Sequence, residues 1–204
     1  MRALPQRAPK AAARAEAQRA RILDAAQKCF IGEGFHAASM AHIAQTAGMS
    51  PGLIYRYFES KNAVVLAIIA RELEGRRDRI AALRETADIA AGLVETFRQW
   101  RSREGCALSA ALLLEMSAEA TREPGIAAAL RASDRLARGD FEAWLARPRA
   151  GGGQGLAPEA AEQRALLLQC LFEGLAVRAA REPDLDPATL QRALEPLVAQ
   201  LLSA

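Results

Sequence analysis

The stretch "GMSPGLIYRYFESK", Gly48 to Lys61, decides how this chain folds. Gly48 follows "ASMAHIAQTA", where Ser39 is a good N-cap and Met40, Ile43, Ala44 and Ala47 repeat at helical spacing. A glycine just past such a run takes the left-handed conformation that ends a helix, and the apolar residue after it, Met49, folds back onto that helix. Ser50 is a second N-cap and Pro51 sits at the first helical position, where its missing N–H costs nothing. The spacing predicts a short helix through Phe58, then a third start with Ser60 as cap and Lys61 opening a longer helix. Two short helices joined by a tight glycine turn form a helix-turn-helix. Ala44 is small where the second helix comes close, and Ile43 and Ile54 face the shared core.

Outward from this unit the pattern stays helical. Upstream, Ile22, Ala26, Cys29 and Phe30 line one helix face, and Gly32 and Gly34 stop it. Residues 1–14, with Pro5, Pro9 and scattered arginines, read as a disordered basic arm. Downstream, the stripe Val64, Val65, Ile68, Ile69 and Leu73 runs to about Arg84, and Ile89, Leu93, Phe97 and Trp100 mark the next helix. A further helix spans Cys106 to Ala120, and Pro124 opens a long amphipathic one through Trp144. "ARPRAGGGQGLAPEA", Ala146 to Ala160, reads as a flexible connection. Its glycines follow no strand and precede no Lys-Ser/Thr pair, which removes a phosphate-loop reading. "ALLLQCLFEGLAV" is apolar nearly all round, so its helix is expected to be covered on more than one side. Pro187 starts the last helix, striped by Leu190, Leu194, Leu197, Val198, Leu201 and Leu202. The expected fold is all-α with about nine helices: an arm over 1–14, a three-helix DNA-binding unit over 15–62, and a second helical domain over 63–204.

Charge is uneven. Residues 1–62 carry nine basic against four acidic side chains, while the rest carries eighteen against twenty. A basic front on a near-neutral body suits a partner with phosphates. Other classes fall away. The chain has no long apolar run for a membrane span and no apolar leader at its N-terminus, so the cytoplasm is the expected compartment. Cys29, Cys106 and Cys170 are far apart and sit among apolar neighbours, as small hydrophobes do in a reducing cell. His36 and His42 lack a shared helix face and a cysteine pair, so no metal and no cofactor are expected. Neither has a partner that would make it catalytic, and the chain does not read as an enzyme.

The second short helix presents the residues that suit DNA. Ser39 and Ser50 cap helix starts that attract phosphate, and Gly52 lets backbone approach a base or sugar. Tyr55 and Tyr57 offer hydroxyls and flat apolar bodies, while Arg56 and Lys61 add charge for counterion release. With Met40 and Pro51, these make the DNA-facing set. Phe58 is assigned to the core.

"RILDAAQKCFIGEGFHAASMAHIAQTAGMSPGLIYRYFESKNAVVLAIIARE" resembles the N-terminal domain of TetR-family transcriptional regulators. Two departures stand out: Met49, where that family often has valine, and Pro51, which replaces a commoner polar or basic residue and makes only apolar contacts. "LLLEMSAEATREPGIAAALRASD" and "FEGLAVRAAREPDLDPATL" are similar to C-terminal domains of one broad branch. The resemblance implies a homodimer paired through the last two helices, a palindromic double-stranded operator and an inducible repressor. It also implies a small-molecule inducer held among the middle helices. Candidate pocket residues are Leu93, Phe97, Trp100, Leu112, Glu115, Met116, Phe141, Trp144 and Phe172, each of which core packing explains equally well. A helical adaptor, or a regulator that answers to thiol redox through Cys106 or Cys170 instead of an inducer, is the alternative.

Overall fold

The computed structural model describes the backbone of residues 7–72, 88–101 and 110–203, and side chains from residue 12 onward. The described residues are helical, with no strand among them, as the periodicity implies. In chain order the helices are α1 (Arg7–Ala37), α2 (Met40–Thr46), α3 (Pro51–Ile54) and α4 (61–72). After these come α5 (Ile89–Arg101), α6 (Ala110–Ala120), α7 (Pro124–Ala146), α8 (Pro158–Arg181) and α9 (Pro187–Leu202). The expected run of α4 to Arg84, the start of α6 at Cys106, and Cys106 itself lie outside the described residues.

The chain divides into two compact units, Met1–Ile68 and Ile69–Ala204, with the division inside α4. In the first unit α1 packs on α2 and α2 on α3. Ile22, Ala26, Phe30, Ile43, Ala44, Ile54, Phe58, Val64 and Ile68 are among its buried side chains. Residues 1–6 of the expected arm lie outside the described residues. Residues 7–14 are helical rather than a disordered arm, because alanines dominate the segment and Pro9 falls in the first turn, where a missing N–H breaks no bond. At its other end α1 bends at Gly34, whose φ of 80° and ψ of 162° only glycine adopts without strain.

The second unit is built around α5 and α8. Leu93, Val94, Phe97 and Trp100 of α5 meet Leu175, Ala176 and Ala179 of α8 and Leu194 and Val198 of α9 in one cluster. A second cluster joins Trp144 and Leu145 of α7 to Ala161, Ala165 and Leu168 of α8. The glycine-rich connection is ordered, contrary to the expectation of a flexible link. Leu156 is buried in the second cluster, Trp144 Nε1 donates to the Gly152 carbonyl at 3.1 Å, and the Leu156 N–H donates to the Leu145 carbonyl at 3.0 Å. The N–H groups of Gly151, Gly152, Gly153 and Gly155 all donate to carbonyls of residues 147–149. They are therefore spent inside the turn and leave no cradle for an anion.

Asp186 caps α9. Its carboxylate accepts from the Thr189 hydroxyl at 2.8 Å and from the N–H groups of Ala188 and Thr189 at 3.2 and 3.0 Å. The Thr189 hydroxyl first, then the two N–H groups, hold its pKa below the ordinary value of 3.8. A carboxylate with a depressed folded pKa stabilises the fold fully above its unfolded pKa and loses that contribution as pH falls through the folded one. Asp186→Ala is therefore expected to melt below wild type at neutral pH, with the gap closing as pH drops below about 4. Thermal melts followed by circular dichroism measure this, and a gap that stays constant with pH would show the charge is not what caps the helix.

Candidate nucleic-acid interface

The turn between α2 and α3 forms as its residues require. The N–H of Gly48 donates to Gln45 O at 3.0 Å and that of Met49 to Ala44 O at 2.9 Å, the paired bonds of a glycine-terminated helix. Gly48 has a φ of 63°, and a Cβ there would lie 3.3 Å from Arg21 Nη2. Ser39 caps α2 as expected, its Oγ accepting from the His42 N–H at 3.1 Å. His42 Nδ1 in turn lies 2.9 Å from Glu33 Oε2, which ties the first turn of α2 to α1.

α3 differs from its expected length. It is α-helical only over Pro51–Ile54, and tighter i+3 bonds carry the chain onward: Arg56 N–H to Leu53 O at 3.2 Å and Tyr57 N–H to Ile54 O at 3.0 Å. The same tightness explains why the Ser50 side chain makes no cap bond. The Leu53 N–H that it would receive already donates to the Ser50 carbonyl at 3.0 Å.

This geometry sorts the candidate residues. Ser50, Pro51, Gly52, Tyr55 and Arg56 are exposed, with Tyr55 at 56%. Beneath them Ile54 and Phe58 are buried. Tyr57 is half-buried. Met40 belongs to the core at 9% exposure: it lies on the face of α2 that carries Ile43 and Ala44, so its side chain does not join the outer set.

Lys61 is committed elsewhere. Its ammonium donates to the carbonyls of Phe35 at 2.6 Å and Ala38 at 3.0 Å and stands 4.2 Å from the centre of the Phe35 ring. It closes the C-terminal end of α1. Two arginines that composition could not single out do the same for the other helix ends. Arg19 Nη1 donates to Tyr57 O at 3.1 Å, with its guanidinium 4.4 Å from the Phe58 ring centre, and Arg21 Nη2 donates to Ala47 O at the end of α2. Cations belong at helix C-termini, where carbonyls lack partners. The sequence marks the side of the helix on which two of these cations stand, though not the carbonyls they meet. Arg19 is three residues before Ile22, and Lys61 three and four before Val64 and Val65, so both stand in line with a buried stripe.

Among the pocket candidates, Leu93, Phe97 and Trp100 lie in the α5 cluster with Phe172 against it, Trp100 and Phe172 meeting edge to face at 4.7 Å. Trp144, with Phe141 beside it, belongs to the α7–α8 cluster instead. Leu112 and Met116 are buried on α6, and Glu115 is half-buried there. Thus six of the nine candidates fall in two separate clusters, and the three on α6 belong to neither of them. Buried polar groups that the sequence did not mark include Thr96, Ser133 and Glu119, the last 4% exposed with an oxygen 4.0 Å from Arg122.

Comparison with known proteins matches both units. Residues 22–68 fit the model of bacterial regulatory proteins of the tetR family, and residues 90–203 fit that of the BetI-type transcriptional repressor, C-terminal. The transcriptional regulator UidR of Escherichia coli K12 is 35% identical over 122 residues, covering 57% of this chain and 59% of that protein. BetI of Rhizobium meliloti is 40% identical over 72 residues, 34% of this chain and 35% of that one. The matches thus span less than two thirds of these relatives. Among solved structures, Salmonella enterica GusR aligns with a TM-score of 0.70 and 29% identity over 91% of this chain and 95% of that one. A helix-turn-helix with its outer face exposed, followed by a helical body that fits a repressor's C-terminal domain, places the chain in the TetR family of DNA-binding transcriptional regulators.

Proposed function

We propose that the protein is a cytoplasmic repressor that binds a palindromic operator as a homodimer and is released by a small molecule held in the second unit. The observation that carries the DNA reading is the outer face of α3: Ser50, Pro51, Gly52, Tyr55 and Arg56 form one exposed surface, anchored from behind by Ile54 and Phe58. Gly52 has no atom within 4 Å of an added Cβ, so space for a base or sugar exists over it. Pro51 and the Tyr55 ring supply apolar contacts of the kind that meet a thymine methyl group. Arg56 supplies charge, and Lys61 acts as the residue that fixes α1 against the turn. Repression is supported by the C-terminal match to a repressor domain. Homodimer formation is supported by exposed leucines on α8 and α9, and inducer binding by the aromatic groups around α5 and α7.

An inducer acts only through its different affinity for the binding and non-binding states, and half-site spacing makes operator affinity sensitive to small changes in the dimer. Footprinting on the protein's own upstream DNA is expected to show a symmetric protected palindrome. Tyr55→Ala is expected to keep helicity and to weaken operator binding by roughly thirtyfold, about 1 kcal/mol at each of two half-sites. Unchanged affinity in a gel-shift titration would remove Tyr55 from the interface.

A further inference from the structure

Arg101 and Arg164 reach across from other helices to the two ends of α9. α8 and α9 each pack on α5 and far less on one another, so their separation depends on α5 and on the side chains that span between them. The core holds α9 by a narrow stripe: Leu194 and Val198 are buried, with Leu190, Leu201 and Leu202 half-buried beside them. Pro196 lies inside the helix, where it lacks the N–H that would bond the Arg192 carbonyl. The turns before and after it are therefore less firmly tied to each other than in an unbroken helix.

Each end has its own fastening. Arg101, the last residue of α5, donates from Nη1 to the Leu185 carbonyl at 3.0 Å, one residue before the Asp186 cap, with its guanidinium 5.7 Å from the Phe97 ring centre. Arg164, in the second turn of α8, donates from Nη1 to the Leu201 carbonyl at 3.1 Å and to the Ser203 carbonyl. The last turn of α9 has no cation of its own, and its carbonyls carry the negative pole of the helix. Arg164 supplies from α8 what α9 lacks. The bonds join residues 84 and 37 positions apart, so they fix one element against another and are not local caps.

We propose that Arg101 and Arg164 are positioning residues of the pairing surface: struts that fix α9 at the separation from α8 at which the exposed Leu166, Leu167 and Leu197 meet a second copy. This rests on the homodimer reading above. Neither arginine has to touch the partner. A helix held in place before pairing does not have to be ordered during it, and in an isologous pair that advantage counts twice.

The test compares wild type with Arg101→Gln, Arg164→Gln and Arg192→Gln. Arg192 is the control, since its Nη2 donates to Thr189 Oγ1 within α9 itself, at 2.9 Å. Dimer dissociation is measured by sedimentation velocity over a dilution series, at a temperature where circular dichroism shows every chain folded. Each strut variant is expected to raise the dimer dissociation constant about tenfold or more, and Arg192→Gln to leave it within about twofold. Hydrogen exchange, at dilutions where all chains are single, should show peptides from residues 187–203 losing protection in the strut variants while those from 124–146 keep it. Strut variants with the wild-type dissociation constant overturn the proposal and leave the homodimer reading intact, even where their thermal midpoint has fallen, because that pattern marks a role in stability alone. A wild type that stays a single chain at every concentration overturns both.

Discussion

Leu167→Arg is expected to split the proposed dimer, leaving a folded single chain that binds operator about 10²–10⁴ times more weakly. On α8, Leu166 and Leu167 are 43% and 52% exposed, and Cys170 and Gly174 continue their row at helical spacing; on α9, Leu197 is 42% exposed. Single exposed leucines are ordinary, but a row of them along the two helices that also carry the α5 cluster is a surface suited to a second copy. In an isologous interface one substitution enters twice, so two unpaired guanidinium groups would have to be buried near each other. The single chain loses little, since half of Leu167 already faces water. Light scattering should report one-chain mass with unchanged helical circular dichroism. DNA affinity falls because the second half-site is then bound from solution and no longer from a tethered partner. A dimer that persists at micromolar concentration with full operator affinity would place the interface elsewhere.

The same helix shows where sequence reading reaches its limit. "ALLLQCLFEGLAV" reads as covered on more than one side; within the chain α5, α6 and α7 pack on α8, while Leu166 and Leu167 remain exposed. Periodicity reports how much apolar surface a helix has, not whether its cover comes from the same chain. The pocket is less legible still. Phe97, Trp100 and Trp144 are aromatic, buried and within helices, and a pocket wall and a packed core demand the same residues. By contrast, the helix-turn-helix was legible to the residue at Ser39, Gly48 and Pro51, because caps and left-handed glycines are local chemistry. What stayed hidden there is non-local. Lys61, Arg19 and Arg21 look like DNA-facing charges in a tally, and only the folded arrangement brings the carbonyls of residues 35, 38, 47 and 57 to them. In residues 7–14 the alanines outweigh the single Pro9, which falls in the first described turn, where its missing N–H breaks no bond.

Ile54→Ala is expected to abolish operator binding while leaving the second unit folded. Ile54 is the buried residue of α3, fully enclosed, and is what fastens that four-residue helix into the unit, where α3 packs on α2. Cutting it back leaves a cavity worth about 2–5 kcal/mol. A helix of one turn supplies almost no stability of its own, so the loss falls on packing alone. The unit spans Met1–Ile68, and units of this size bury a small core and hold only a few kcal/mol in reserve, on the order of the cavity cost itself. Leu53→Ala, beside it but half-buried, removes about as many atoms from a site that already meets water and should cost much less. Hydrogen exchange separates the two outcomes: in Ile54→Ala, peptides from residues 12–68 should lose protection while those from 110–203 keep it. Binding would vanish in Ile54→Ala although every exposed DNA-facing side chain is still present. Retained affinity with retained protection would mean that the turn bonds at Gly48 and Met49, with the Arg19 and Lys61 clamps, hold α3 without its buried anchor.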